Sequence, residues 1–182
     1  GTGPEIWEQT DGQVDGFVSA IGTGGTLSGC AMYFKDQDPD IQIGLADPQG
    51  AKMFAYFDRG ELSNDGEEGS VTQGIGQGRI TGNVADTPVD HSFRIHDEEA
   101  IAAIDELADK EGMVLGGSAG VNVAGAIHLA EEMGPGHTIA TILCDHGSRY
   151  QSQLWDPDFR EEHGFNVPDW LEGGTDIEPD FV

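Results

Sequence analysis

The sequence predicts an α/β fold with a largely parallel sheet and helices on both faces. Two observations carry this. Apolar runs of strand length alternate with segments of helical spacing, in the order strand-helix-strand, strand-helix, strand-helix, strand. Twice, moreover, an apolar run ends in a glycine-rich bend that opens into a helix, in IGTGGTLSG and in LGGSAG. A sheet of this kind binds its ligands at the carboxyl ends of its strands.

VDGFVSAI is the first strand and ends at Gly22. Gly24 to Lys35 follows as a helix, with Leu27, Met32 and Phe34 on its apolar positions and Gly29, Cys30 and Ala31 small enough for close packing. Pro39 closes it, and Ile41 to Ala46 is the second strand. From Asp47 to Val89 the chain reads as irregular: SNDGEEGS is a surface loop and QGIGQGRITGN a second glycine-rich one. So long a loop in a compact domain points to function. HSFRI is a short strand. Asp97 is the expected N-cap of EEAIAAIDELADKEG, which gathers Ala100, Ile101, Ile104, Leu107 and Ala108 on one face and stops at Gly112. MVLGGSAG is a further strand and bend, leading into the helix VNVAGAIHLAEEM, which Gly134 and Pro135 end. HTIATILCD is the last buried strand. Beyond HGSRYQSQLW the pattern fades, and Glu172 to Val182 reads as a loose acidic tail.

Charge excludes several partners. The 182 residues hold 34 Asp and Glu against 8 Lys and Arg, a formal net charge of −26. Such a chain does not bind nucleic-acid phosphates over a broad face. The acids are dispersed among core positions, so they form a solvated surface, and their mutual repulsion calls for screening by salt. This is the surface expected of a protein from a high-salt cytoplasm; an acidic mesophile protein is the alternative. No apolar run reaches membrane-spanning length, and GTGPEIWEQTDG has no secretory-signal pattern. Cys30 and Cys144 are too few for a disulfide scaffold, which suits a reduced, cytoplasmic setting, and both read as small core residues. No histidine pattern suggests a metal site.

The first bend can hold an anion. At a helix start the backbone N–H groups are unpaired and the dipole is positive. Gly22, Gly24 and Gly25 let a dianion approach the main chain, and Thr23 and Thr26 add hydroxyl donors. This phosphate cup needs no lysine or arginine; a plain tight turn is the alternative. The second bend presents Ser118 at a helix start, where simple N-capping is the alternative. The pattern is neither GxGxxG, since Leu27 stands at the last glycine position, nor a P-loop. A Rossmann-type nucleotide binder stays open because Asp47 follows the second strand.

Four stretches, GTGPEIWEQTDGQVDGFVSAIGTGGTLSG, QGIGQGRITGN, LGGSAGVNVAGA and HTIATILCDHGSRYQS, together resemble the C-terminal half of the cysteine synthase and cystathionine β-synthase family. These are β-family pyridoxal-phosphate enzymes with the tryptophan-synthase-β-like fold, fold type II. The resemblance covers residues 1–160 as part of the cofactor-binding domain and leaves 161–182 as an acidic extension. It implies that Gly22, Thr23, Gly24, Gly25 and Thr26 bind the phosphate of pyridoxal 5′-phosphate. It implies that Ser118 faces the pyridine nitrogen and that Gly74, Ile75 and Gly76 form a loop at the cofactor's edge. A hydroxyl does not hold that nitrogen protonated as a carboxylate would, which suits elimination followed by addition of a sulfur nucleophile. The implied reaction makes L-cysteine from O-acetylserine or O-phosphoserine and sulfide. Cystathionine β-synthase, which uses homocysteine, is the near alternative, and a non-catalytic anion-binding module is the alternative of another class.

The family's Schiff-base lysine and its substrate-carboxylate loop lie in upstream motifs absent from this sequence. Lys35, Lys52 and Lys110 all read as surface positions. The expectation is therefore a fragment with no catalytic nucleophile of its own, inactive alone and homodimeric when full length. His146 stands where relatives usually carry serine; it reads as a neutral change at the pocket rim or, alternatively, as a proton-transfer group. Arg149 and Tyr150 read as packing and surface-pairing residues.

Overall fold

The computed structural model describes residues 1–172, so all but Glu172 of the expected acidic tail lies outside the described residues. The sheet has four parallel strands in the order β3-β2-β1-β4: β1 Gly16–Ser19, β2 Gln42–Pro48, β3 His91–Ile95 and β4 Ile139–Ala140. Alternation along the strands splits the core into two layers. Phe17, Ile43 and Leu45 point to one face, against Leu27, Ala31 and Phe34 of α2 (Gly25–Gln37) and Met53 of α3 (Met53–Arg59). Val18, Ala46, Phe93 and Ile95 point to the other, against Val121, Ala124 and Leu129 of α5 (Gly117–Met133) and Ala100 of α4 (Asp97–Glu111). Helices thus cover both faces, as expected of a parallel sheet.

Close approach of α5 to the sheet rests on Gly125. A Cβ there would lie 2.6 Å from Ala46 Cβ and 3.0 Å from Val18 Cγ1. Gly120 does the same for the α4–α5 pair, where a Cβ would lie 2.2 Å from the Ala100 carbonyl oxygen.

Several local expectations are corrected. The 47–89 segment is not wholly irregular, since Met53–Arg59 forms α3. Its N-cap is Lys52, which supplies no side-chain cap, so the usual start signal is missing. Helix α1 (Thr2–Gln9) was not marked by the pattern either; it packs on α2 with Gly3 against Tyr33. MVL is not a strand: it makes one antiparallel bridge, Leu115 with His146, and Met113 and Val114 are exposed. The last strand keeps only Ile139–Ala140, because the chain beyond it leaves the ladder to bond side chains near the strand ends. Asp97 is the first residue of α4, not its N-cap, which is His96. Its buried carboxylate accepts from Ser70 Oγ and from Val71 N (2.9 Å), clamping the long loop to the helix. After residue 150 the chain adds α6 (Pro157–Glu162) and α7 (Asp169–Glu172), the latter including Glu172. Asp156 and Pro157 give α6 a start that was readable in the sequence: Asp156 accepts from Asp158 N at 3.0 Å.

Candidate functional site

The ends of β1 and β4 and the starts of α2 and α5 enclose one cleft of about 220 Å³. Gly22, Thr23, Gly24, Gly25 and Thr26 line one side. Ser118, Asn122, Cys144 and Asp145 line another, and Gln73, Gly74 and Ile75 of the long loop lie along the edge. All seven of the residues singled out as cofactor ligands therefore meet in a single cavity. Ile75 joins them; Gly76 and His146 do not line it. His146 is exposed and its Nδ1 is 3.0 Å from Ser148 Oγ.

The electrostatics of this cleft depart from the rest of the surface. No side chain caps α2 or α5, and neither has an acid in its first turn, whereas α4 begins with Asp97, Glu98 and Glu99. In so acidic a chain, two positive helix ends are left bare at one opening. Ser118 is buried and caps nothing, so the N-capping alternative does not hold.

Glycine is required here for conformation and for space. Gly24, the α2 N-cap, has φ 90°, and a Cβ would lie 2.4 Å from Val84 Cγ2. A Cβ on Gly22 would lie 2.9 Å from the Gly74 carbonyl oxygen. The long loop is pinned to this cup: Gly76 N donates to Ile21 O (3.0 Å), and Thr81 Oγ1 donates to Thr23 O (3.1 Å).

Three lining residues carried no strong signal. Asn122 is buried; its Oδ1 accepts from Ala20 N and its Nδ2 donates to Ile142 O, both at 2.7 Å. It ties the end of β1 to the chain leaving β4. A polar residue inside an apolar helical repeat was its only mark. Cys144 is exposed in the cleft, correcting the expectation of a core thiol, while Cys30 is buried as expected. Partial desolvation by the cleft walls raises the Cys144 thiol pKa first, opposed by hydrogen bonding from Ser118 and Asn122 and added to by the Asp145 charge. Asp145 read as the end of the last strand but lies beyond β4; its Oδ2 accepts from Tyr150 Oη at 2.7 Å and its Oδ1 from Arg149 Nη1 at 3.2 Å.

Lys110 is exposed, and Lys35 and Lys52 are half-buried, Lys35 pairing with Asp90 at 2.8 Å; none lines the cleft. A larger, mostly apolar hollow lies between α4 and residues 165–170, remote from both glycine bends and without their donor set. Asp47, the acid that kept a nucleotide-binding reading open, is buried below α3, where its Oδ2 accepts from Phe54 N at 2.8 Å.

A profile of the family described as pyridoxal-phosphate dependent enzyme matches residues 1–145. The chain belongs to this family. It is 39% identical over 177 residues to a cysteine synthase of Dictyostelium discoideum, covering 93% of this chain and 47% of that protein. It is 42% identical to cysteine synthase 1 of Neurospora crassa, covering 94% and 47%. Among solved structures it is similar to an O-acetylserine dependent cystathionine beta-synthase from Helicobacter pylori, with a TM-score of 0.73, 31% identity, and coverage of 84% of this chain and 47% of that one. The chain thus spans about half the length of the curated relatives it matches. The fold is accordingly that of a fold-type II enzyme of the family.

Proposed function

We propose that the whole protein carries out pyridoxal-phosphate-dependent β-replacement of the cysteine synthase kind. It would join the three-carbon skeleton of an activated serine, O-acetylserine or O-phosphoserine, to sulfide. One observation carries the reading: two uncapped helix starts and a buried serine that caps neither of them share a single cleft in a chain whose surface is otherwise densely acidic.

The residues present fit the cofactor. The amides and hydroxyls from Gly22 to Thr26 would hold the phosphate, with the α2 dipole adding to each bond. Gly24 keeps the main chain in the left-handed turn that bares this cup. Ser118 would meet the ring nitrogen with a neutral hydroxyl, and Gly74 would flank the ring. Asn122 holds the two strand ends at a fixed spacing, and so the two walls. Bound there, pyridoxal phosphate supplies an electron sink for bond making and breaking at the amino acid's Cα and Cβ.

The test is calorimetric titration with pyridoxal 5′-phosphate and, separately, with inorganic phosphate. Binding of the first should be at least tenfold tighter and should weaken in Gly25→Asp and Ser118→Ala. Equal binding of both supports a plain anion module instead and ends the enzyme reading. A second reading, cystathionine β-synthase, is favoured by the name of the structural neighbour. A longer form carrying a cofactor-binding lysine should turn over O-acetylserine with sulfide faster than with homocysteine; the reverse order selects this second reading. We further propose that this longer form is a homodimer of a cytoplasmic protein, checked by light scattering. No helix of the described residues is long and apolar enough to cross a membrane.

A further inference from the structure

The pyridine-nitrogen wall of the cleft contains a carboxylate that the reading above does not use. Asp145 lines the cavity with Ser118 and Cys144. A free carboxylate there would attract a proton to the ring nitrogen, the opposite of what a serine partner provides. Both of its oxygens, however, carry donors from outside the cleft: Tyr150 Oη at 2.7 Å and Arg149 Nη1 at 3.2 Å. Arg149 is 71% exposed, so its pairing is weak. Tyr150 is buried at 8% exposure, and its bond is the short one.

The backbone is shaped around this tyrosine. A Cβ on Gly116 would lie 2.4 Å from Tyr150 Cε2, so only glycine lets the ring reach Asp145. Gly116 N donates to Asp145 O at 2.8 Å and Gly147 N to Val114 O at 2.8 Å, fixing the two segments side by side. Of the two glycines in this bend, Gly116 makes room for Tyr150 and Gly117 makes room for Thr72, whose Cγ2 would lie 2.7 Å from an added Cβ.

Resting on the cofactor reading, the geometry points to Tyr150 as a positioning residue: it engages Asp145 Oδ2 from outside the cleft, so that the ring nitrogen facing Ser118 stays unprotonated. The charge of Asp145 reaches the neighbouring thiol, where it helps raise the Cys144 pKa, so Cys144 serves as a built-in reporter.

The test uses two readouts on Tyr150→Phe, Asp145→Asn and the double variant. The first is the pH dependence of iodoacetamide alkylation at the exposed Cys144, with buried Cys30 as the slow internal control. Asp145→Asn should lower the thiol midpoint, Tyr150→Phe should raise it, and the double variant should match Asp145→Asn. The second is the ultraviolet spectrum of bound pyridoxine 5′-phosphate, which reports ring-nitrogen protonation and needs no lysine. Tyr150→Phe should raise the apparent ring pKa by about one unit, and the double variant should not. A thiol midpoint in Tyr150→Phe equal to the parent's, or an unchanged ring spectrum, overturns the positioning role. Failure of the parent protein to bind the analogue at all overturns the cofactor reading, and this inference with it.

Discussion

Asp47 has one carboxylate oxygen on backbone amides and the other, Oδ1, with no partner. Burial outweighs the N–H bonds from Phe54 and Met53 and the nearby Arg94, pushing its pKa up to about 6. A raised folded-state pKa means stability fully present below the unfolded value near 4 and lost as pH rises through 6. Chemical denaturation from pH 4 to 8 should therefore show a fall in stability for the parent that is smaller in Asp47→Asn by about one proton's worth of slope. Parallel curves for the two proteins would contradict this. At Gly24, the left-handed φ and the Val84 contact together predict that Gly24→Ala destabilises by about 3 kcal/mol. Gly29 is the matched control: it lies inside α2 with nothing within 4 Å of an added Cβ, so Gly29→Ala should stabilise by about 1 kcal/mol. Urea melts of the two variants should move in opposite directions.

Among elements, α6 is fastened to α4 by a buried ion pair. Arg160 is fully buried and meets Asp105 with two bonds, at 2.7 and 2.8 Å, while also donating to Leu154 O and Asn166 O. Asp105→Ala strands that guanidinium and should cost about 3–5 kcal/mol. Asp105→Leu combined with Arg160→Met removes both charges and should recover most of the loss, as read by thermal melting. Elements with strong periodicity were legible: α2, α4 and α5 and the first three strands stand where alternation, proline and glycine put them. What escaped had local signals overruled by tertiary contacts. Helix α3 has no capping side chain and is fixed by Asp47 from below. The stretch Met113–Leu115 is apolar like a strand, yet its backbone is engaged by Leu107 O, the chain at 145–147 and the Trp155 side chain rather than by the sheet. The two bends at 22–26 and 116–118 were legible from glycine placement, because main-chain geometry leaves a mark in sequence, whereas the roles expected of them came from the family resemblance. Asn122 and Cys144 were not, because they meet partners about 20 to more than 100 residues away, and Asp145 was not, because only the folded chain brings it beside Ser118 in the cleft.

At the scale of the whole molecule, the net charge of −26 sits on a body in which, among the described residues, the uncapped, acid-free starts of the long helices α2 and α5 face the cleft. Self-repulsion of the surface weakens the folded state at low ionic strength, and raising salt from 0.1 M to 1 M shortens the screening length from about 10 Å to 3 Å. Melting temperature should climb steadily over this range in potassium chloride. A flat response would rule out adaptation to a saline cytoplasm as the reason for the acids.

The sheet order places β4 beside β1 although 123 residues separate Gly16 from Ile139. Thr141 Oγ1 reaches Val18 O (2.8 Å) across the same span. Closing so large a chain loop is slow, and strands β1 to β3 can zip together well before it happens. The Cys144–Asp145 wall is therefore the last part of the cavity to arrive during refolding. In a stopped-flow experiment, recovery of pyridoxine 5′-phosphate binding should trail the return of helical circular dichroism, making ligand capture a clock for the final step of assembly.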